Sequence, residues 1–204
     1  MKPSEFVKSM DKYERVIFLD TEMSGIDAQS DVIIRFKYIL CNNGTVRKPA
    51  GFLIKLPEET VLTDNIVELV SITNEELTAH GKTREEAEKE IIDTLFQPNT
   101  LICTHHVVFD MKFIFEILYK NGQTELFHVC DYLDSLTVMR DKIGRSIKQS
   151  TLMRRLGIRR SKEDSMNIYK LFDRIYSEYG DLSEYINKVG GADGTEEIKD
   201  IVRA

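Results

Sequence analysis

Two carboxylates stand two positions apart in the stretch Arg15-Val16-Ile17-Phe18-Leu19-Asp20-Thr21-Glu22-Met23-Ser24-Gly25. Val16 to Leu19 are apolar β-formers and Gly25 brings a turn, so the stretch reads as a buried strand whose C-terminal end carries Asp20 and Glu22. Side chains alternate faces along a strand, which puts both acids on the same side. Like charges so close repel unless a cation lies between them, and a hard ion such as Mg²⁺ prefers such oxygen ligands. Two solvated acids in a surface turn are the plainer alternative. Asp110 and Asp164 each fall near the start of an expected helix, where the backbone dipole favours negative charge. Each is a candidate for the same chemistry or a helix-start acid and no more.

The elements that would position these acids follow from pattern. Asp31 to Leu40 is β-branched and aromatic, Asn42-Asn43-Gly44 is a hairpin signal, and Phe52 to Leu56 makes a third strand of an antiparallel meander. Thr60 to Leu77 reads as short helical turns, with Thr73 as a cap. Thr83 to Glu86 has the capping-box pattern, followed by an apolar stripe at Ala87, Ile91, Ile92, Leu95 and Phe96. Thr100 to Cys103 is a short buried strand, Val108 to Tyr119 a helix ended by Gly122, and Leu126 to Cys130 another strand. Helices are expected over Asp134 to Met139, Ser150 to Leu156, Asp164 to Tyr179 and, in the tail, Thr195 to Val202. Antiparallel strands followed by strand–helix alternation predict an α/β fold with a mixed five-stranded sheet flanked by helices.

The composition is globular, with 204 residues, 42% hydrophobic and 30% charged, and no apolar run is of membrane-spanning length. Polar and charged positions follow Met1 to Phe6, so no secretory signal is expected. Cys41, Cys103 and Cys130 are odd in number and widely spaced, which fits neither a disulfide framework nor a zinc cluster and implies a reducing, cytoplasmic setting. The net charge of −6 argues against nonspecific coating of nucleic acid. Yet residues 140–162 hold nine Lys/Arg and one acid, leaving 19 basic and 33 acidic residues elsewhere. A basic segment on an acidic body is a candidate phosphate-contacting surface; the alternative is a solvated helix face.

Taken in order, several segments resemble the DEDD (DnaQ-like) 3′–5′ exonucleases. Asp20-Thr21-Glu22-Met23-Ser24-Gly25-Ile26-Asp27 is similar to their first motif, and His105-His106-Val107-Val108-Phe109-Asp110 to their second. Ile66 to Leu77, Tyr132 to Leu136 and Ser150 to Ile158 resemble the connecting segments, and Asp164 to Phe172 the last motif helix. The resemblance spans roughly residues 14–178 and implies a ribonuclease-H-like fold that hydrolyses phosphodiester bonds at single-stranded DNA or RNA 3′ ends with two Mg²⁺ or Mn²⁺ ions. It implies a lead-in over 1–13, an exonuclease-like domain over 14–180 and a helical tail over 181–204. Asp20 would bridge both metals, Glu22 and Asp164 would hold the metal that activates water, and Asp110 would support the second. Thr21, Met23, Ser24, His106 and Phe109 would contact the terminal nucleotide. Separately, the charge asymmetry of the chain makes Arg159 and Arg160 candidates to grip phosphates beyond the scissile bond. A polymerase or a replication or repair complex is the implied protein partner.

One departure concerns the general base, which in the family is His five before or Tyr four before the final Asp. Here Arg159 and Arg160 hold those positions, and Arg has no acceptor for a proton. All four histidines lie upstream, so His106 and Tyr169 are the candidates to substitute. An alternative register uses Asp173, with Tyr169 four before it. The competing expectation is a weak or inactive nucleic-acid-binding or polymerase-associated module that keeps the fold.

Overall fold

The computed structural model describes residues 1–191 and 194–201. Helix α1 (Glu5–Ser9) precedes strand β1 (Arg15–Met23), which pairs antiparallel with β2 (Ile33–Asn42). The Asn43-Gly44 turn has positive φ at both positions, 46° and 71°, the geometry that Asn-Gly accepts most readily, and it delivers β3 (Thr45–Val46) back onto β2. Strand β4 (Ala50–Leu53) then pairs with β2 as well. The expected third strand, Phe52 to Leu56, is thus displaced toward the hairpin and split in two, because the register moves by one residue between the β3 and β4 pairings.

Helices α2 (Asp64–Val70) and α3 (Asn74–His80) follow, then α4 (Arg84–Leu95). Thr73–Glu76 and Thr83–Glu86 close full capping boxes, each satisfying two backbone donors at the helix starts. Ala87, Ile91 and Leu95 recur every four residues along α4 and are all buried. Strand β5 (Thr100–Thr104) pairs parallel with β1, helix α5 (Val107–Lys120) crosses over, and β6 (Asp131–Asp134) pairs parallel with β5. The main sheet runs β3-β2-β1-β5-β6, with β4 on β2, so it has six strands where five were expected.

Leu126 to Cys130 is not the last parallel strand. Thr124–His128 forms a 3₁₀ turn, and Phe127 and Cys130 are buried as core residues ahead of β6. Helices α6 (Ser135–Ile143), α7 (Gln149–Arg155) and α8 (Asp164–Tyr179) complete the body. In the tail, β7 (Lys188–Gly191) and β8 (Gly194–Glu197) form a hairpin and α9 (Ile198–Ile201) follows. The expected helix from Thr195 therefore begins only at Ile198, and its last residue, Val202, lies outside the described residues. Val189 and Ile198 are buried against the main body, and Asn187 holds the Tyr132 amide and Asp131.

The sheet divides the core. Val16 and Phe18 of β1 face α1, α7 and α8, where Phe6 stacks on Phe172 at 5.2 Å. Ile17 and Leu19 face α4 and α5. Each such fully buried side chain contributes about 1.5–3 kcal/mol, so the strand that carries the acids is firmly fixed before it reaches them.

Candidate active site

Past Leu19 the alternation of β1 continues with polar residues. Asp20 and Glu22 lie on the α8 side and Thr21 on the α5 side. Across the strand pair, Lys37 lies opposite Asp20 and Arg35 opposite Glu22, so β2 brings two cations to the face that carries the two acids. A bulge after Glu22 shifts the register, with Ile34 as the extra residue on β2, and Met23 then pairs with Ile33. Asp164, the first residue of α8, closes the group. One terminal nitrogen of Arg35 bridges Glu22 Oε1 at 3.0 Å and Asp164 Oδ2 at 2.9 Å. Lys37 Nζ stands 3.7 Å from Asp164 and 3.5 Å from Glu163. Burial raises the Glu22 carboxyl above its ordinary value, against the pull of Arg35 and Arg160.

The other side of β1 is neutral. Asp110, buried in the first turn of α5, accepts the Thr21 hydroxyl at 2.5 Å and the Thr104 hydroxyl at 2.6 Å. Burial pushes its carboxyl up to about 7. Burial, with Asp164, Glu22 and Asp110 nearby, pushes Asp20 up to about 8. Among the described residues no donor hydrogen-bonds to Asp20.

Asp20, Thr21, Phe109 and Asp110 line an open groove of about 490 Å³, whose other wall carries Arg140 and Lys148. His106 precedes α5 in the left-handed conformation (φ 83°) and stacks on Phe109, 5.8 Å between centroids and 17° between planes. Asp134 fixes this turn: it accepts the amides of His106 (2.8 Å) and Leu136 (2.9 Å) and the Thr137 hydroxyl (2.9 Å). His105 Nε2 donates to the Ile147 carbonyl at 3.1 Å and its Nδ1 meets Ser135 Oγ at 2.9 Å, tying the basic wall to the floor.

The remaining sequence candidates are placed as follows. Ser24 donates to Asp31 and accepts the Val32 amide, so its hydroxyl closes the turn from β1 to β2. Gly25 lies so close to Asp31 that a Cβ would sit 2.2 Å from its carboxylate. Met23 is a correction: it is 5% exposed and packed in the core, because strand alternation puts it on the same face as Ile17 and Leu19, which leaves Phe109 to offer the apolar contact expected of the two. Arg159 and Arg160 are exposed on the loop before α8; Arg160 acts electrostatically on Glu22, and neither lines the groove. Tyr169 is buried against Phe18, with its hydroxyl accepting the Ser4 amide and donating to the Lys2 carbonyl, so it is occupied away from the acids. It is Asp164, not Asp173, that stands beside Glu22.

Sequence reasoning passed over Arg35 and Lys37. Their signal was the alternation Arg35-Phe36-Lys37-Tyr38 on a strand next to the acidic one, which places both cations on one face. Arg140 and Lys148 were visible only as members of a basic segment.

The donor set fits a divalent ion beside Asp20 and Asp110, which line the groove together. Asp20 is uncompensated, and each Asp110 oxygen keeps a lone pair after accepting its hydroxyl. Between Glu22 and Asp164, the Arg35 nitrogen occupies the point an ion would take. Among the described residues, no three His, Cys, Asp or Glu side chains form a ready ligand set.

Comparison with known proteins identifies the fold and the family. Solved structures of exonuclease I superpose on the chain: a product-bound form at TM-score 0.72 and 21% identity, covering 81% of this chain and 44% of the other. The Escherichia coli enzyme with a dA16 oligonucleotide gives 0.70 and 20% over 80% and 41%, and with a dT13 oligonucleotide 0.73 and 21% over 84% and 43%. The chain thus spans less than half the length of the exonuclease I chains it matches. No curated protein sequence matches. The family described as Exonuclease (RNase T) matches residues 17–172, from the core of β1 to the middle of α8 and so across all four acids. The chain belongs to this family, the DEDD nucleases of ribonuclease-H-like fold.

Proposed function

We propose that the protein is a divalent-metal-dependent exonuclease that hydrolyses phosphodiester bonds at the 3′ ends of single-stranded DNA or RNA. The observation that carries this is the meeting of Asp20, Glu22, Asp110 and Asp164, from β1, α5 and α8, around one strand end beside an open groove. The exonuclease I structures hold dA16 and dT13 oligonucleotides, which supports DNA as one substrate. A bound divalent ion supplies water activation and charge neutralisation on the phosphate. Asp20 and Asp110 would hold it, and Thr21 and Thr104 fix the Asp110 carboxylate. The stacked His106 and Phe109 rings offer a platform for the terminal base, and Arg140 and Lys148 meet the following phosphates. Residues 14–180 form the nuclease unit, working in the cytoplasm beside a polymerase or a replication or repair complex. Among the described residues no helix is long and apolar enough to cross a membrane.

A second reading is a binding module with weak or no turnover. It is favoured by Arg159, which stands where a proton acceptor is expected, and by the Arg35 bridge. Loss of a general base costs about 10²–10⁴-fold in rate, which leaves slow hydrolysis measurable. The test is incubation of 3′- and 5′-labelled single-stranded DNA and RNA with Mn²⁺ or Mg²⁺, against EDTA and an Asp20→Ala/Glu22→Ala variant. Metal-dependent shortening from the 3′ end, lost in the variant, supports the nuclease. Binding without cleavage of either polymer supports the second reading.

A further inference from the structure

We infer that Arg35 is a built-in counter-ion that stands in for one of the two metals, so that the site takes a single divalent ion, held by Asp20 and Asp110. This rests on the reading of the acids as a metal site. The bridging nitrogen lies 3.0 Å from Glu22 and 2.9 Å from Asp164. Mg²⁺ between the same oxygens would need distances of about 2.0–2.1 Å at that very point, so guanidinium and ion exclude each other. Arg35 is also poorly placed to leave. Its side chain is only 16% exposed, and its strand position faces Glu22 directly. Lys37 is shared with Glu163 at the rim, so Arg35 is the cation that decides occupancy. The two acids left over, Asp20 and Asp110, are those that line the groove.

The test counts Mn²⁺ bound to the purified chain from the loss of the free-ion electron paramagnetic resonance signal. The wild type is expected to saturate at one ion per chain, the Asp20→Ala variant at none, and Arg35→Gln at two. Circular dichroism checks that each variant is folded. A wild type that binds two ions, or none, overturns the inference whatever the variants do, and so does a folded Arg35→Gln that stays at one. Oligonucleotide hydrolysis measured on the same samples separates the two readings. Hydrolysis with two ions bound removes the inference and keeps the nuclease, whereas one ion bound without hydrolysis removes the nuclease and keeps the inference.

Discussion

The two faces of β1 solve one problem in two ways. On the α8 face, Glu22 and Asp164 are half-buried and bridged by the guanidinium of Arg35. On the α5 face, Asp110 is buried more deeply, yet among the described residues its carboxylate hydrogen-bonds only to the neutral hydroxyls of Thr21 and Thr104. Charge pairing settles Glu22 and Asp164 without any added ligand. Hydroxyl bonding leaves the second with negative charge to spare, which is what a face built to receive a cation requires.

Removing the pairing cation should give the largest effect. Arg35→Met keeps much of the bulk but leaves two facing carboxylates, and loss of one partner from a largely buried pair costs about 3 kcal/mol or more. A fall in Tm of roughly 6–12 °C in EDTA, partly reversed by Mn²⁺, is expected by calorimetry. An unchanged Tm would mean that the two faces do not differ.

The opposite sign is expected across the strand. The Asp110 carboxyl lies at about 7 in the folded chain against its ordinary 3.8, so the native state keeps a proton that the unfolded chain has released. Folding stability conferred at low pH is therefore lost as pH rises between those values. Asp110→Asn removes the penalty and should stabilise the metal-free protein by about 2 kcal/mol at pH 8 and by little at pH 4, while abolishing any hydrolysis. Urea unfolding at the two pH values checks this; destabilisation at pH 8 would place Asp110 with the charge-paired acids.

Two smaller effects sharpen the contrast. Phe109→Ala should weaken oligonucleotide binding by roughly 1–2 kcal/mol in a fluorescence titration, with little dependence on base identity, since stacking is sequence-tolerant. Thr104→Val deletes one neutral donor and should cost about 1 kcal/mol in the same urea assay, well below the loss at Arg35.

The acidic strand, the Asn43-Gly44 hairpin and both capping boxes were legible because each is written in local residue type and spacing. So were Asp110 and Asp164, since helix starts carry their own punctuation. The last parallel strand was misplaced onto Leu126 to Cys130, because a short apolar run looks alike whether it is a strand or a tight turn packed into the core. The tail hairpin was missed where its two strands are short and half polar. At the site, the acids were visible and Arg35 was not. Its meaning depends on cross-strand register, which a single segment does not contain.

The three hydrogen bonds converging on Asp134 make one carboxylate the rivet between the floor of the groove and the start of α6, with His105 pinning the basic wall to the same point. Floor and basic wall are thus tied together through two side chains. A strand entering the groove would meet a wall already held by these bonds, so its affinity would not be spent on ordering that wall. The His106 and Leu136 amides, both bonded to Asp134, should be slow hydrogen-exchange reporters whose protection hardly changes when an oligonucleotide enters.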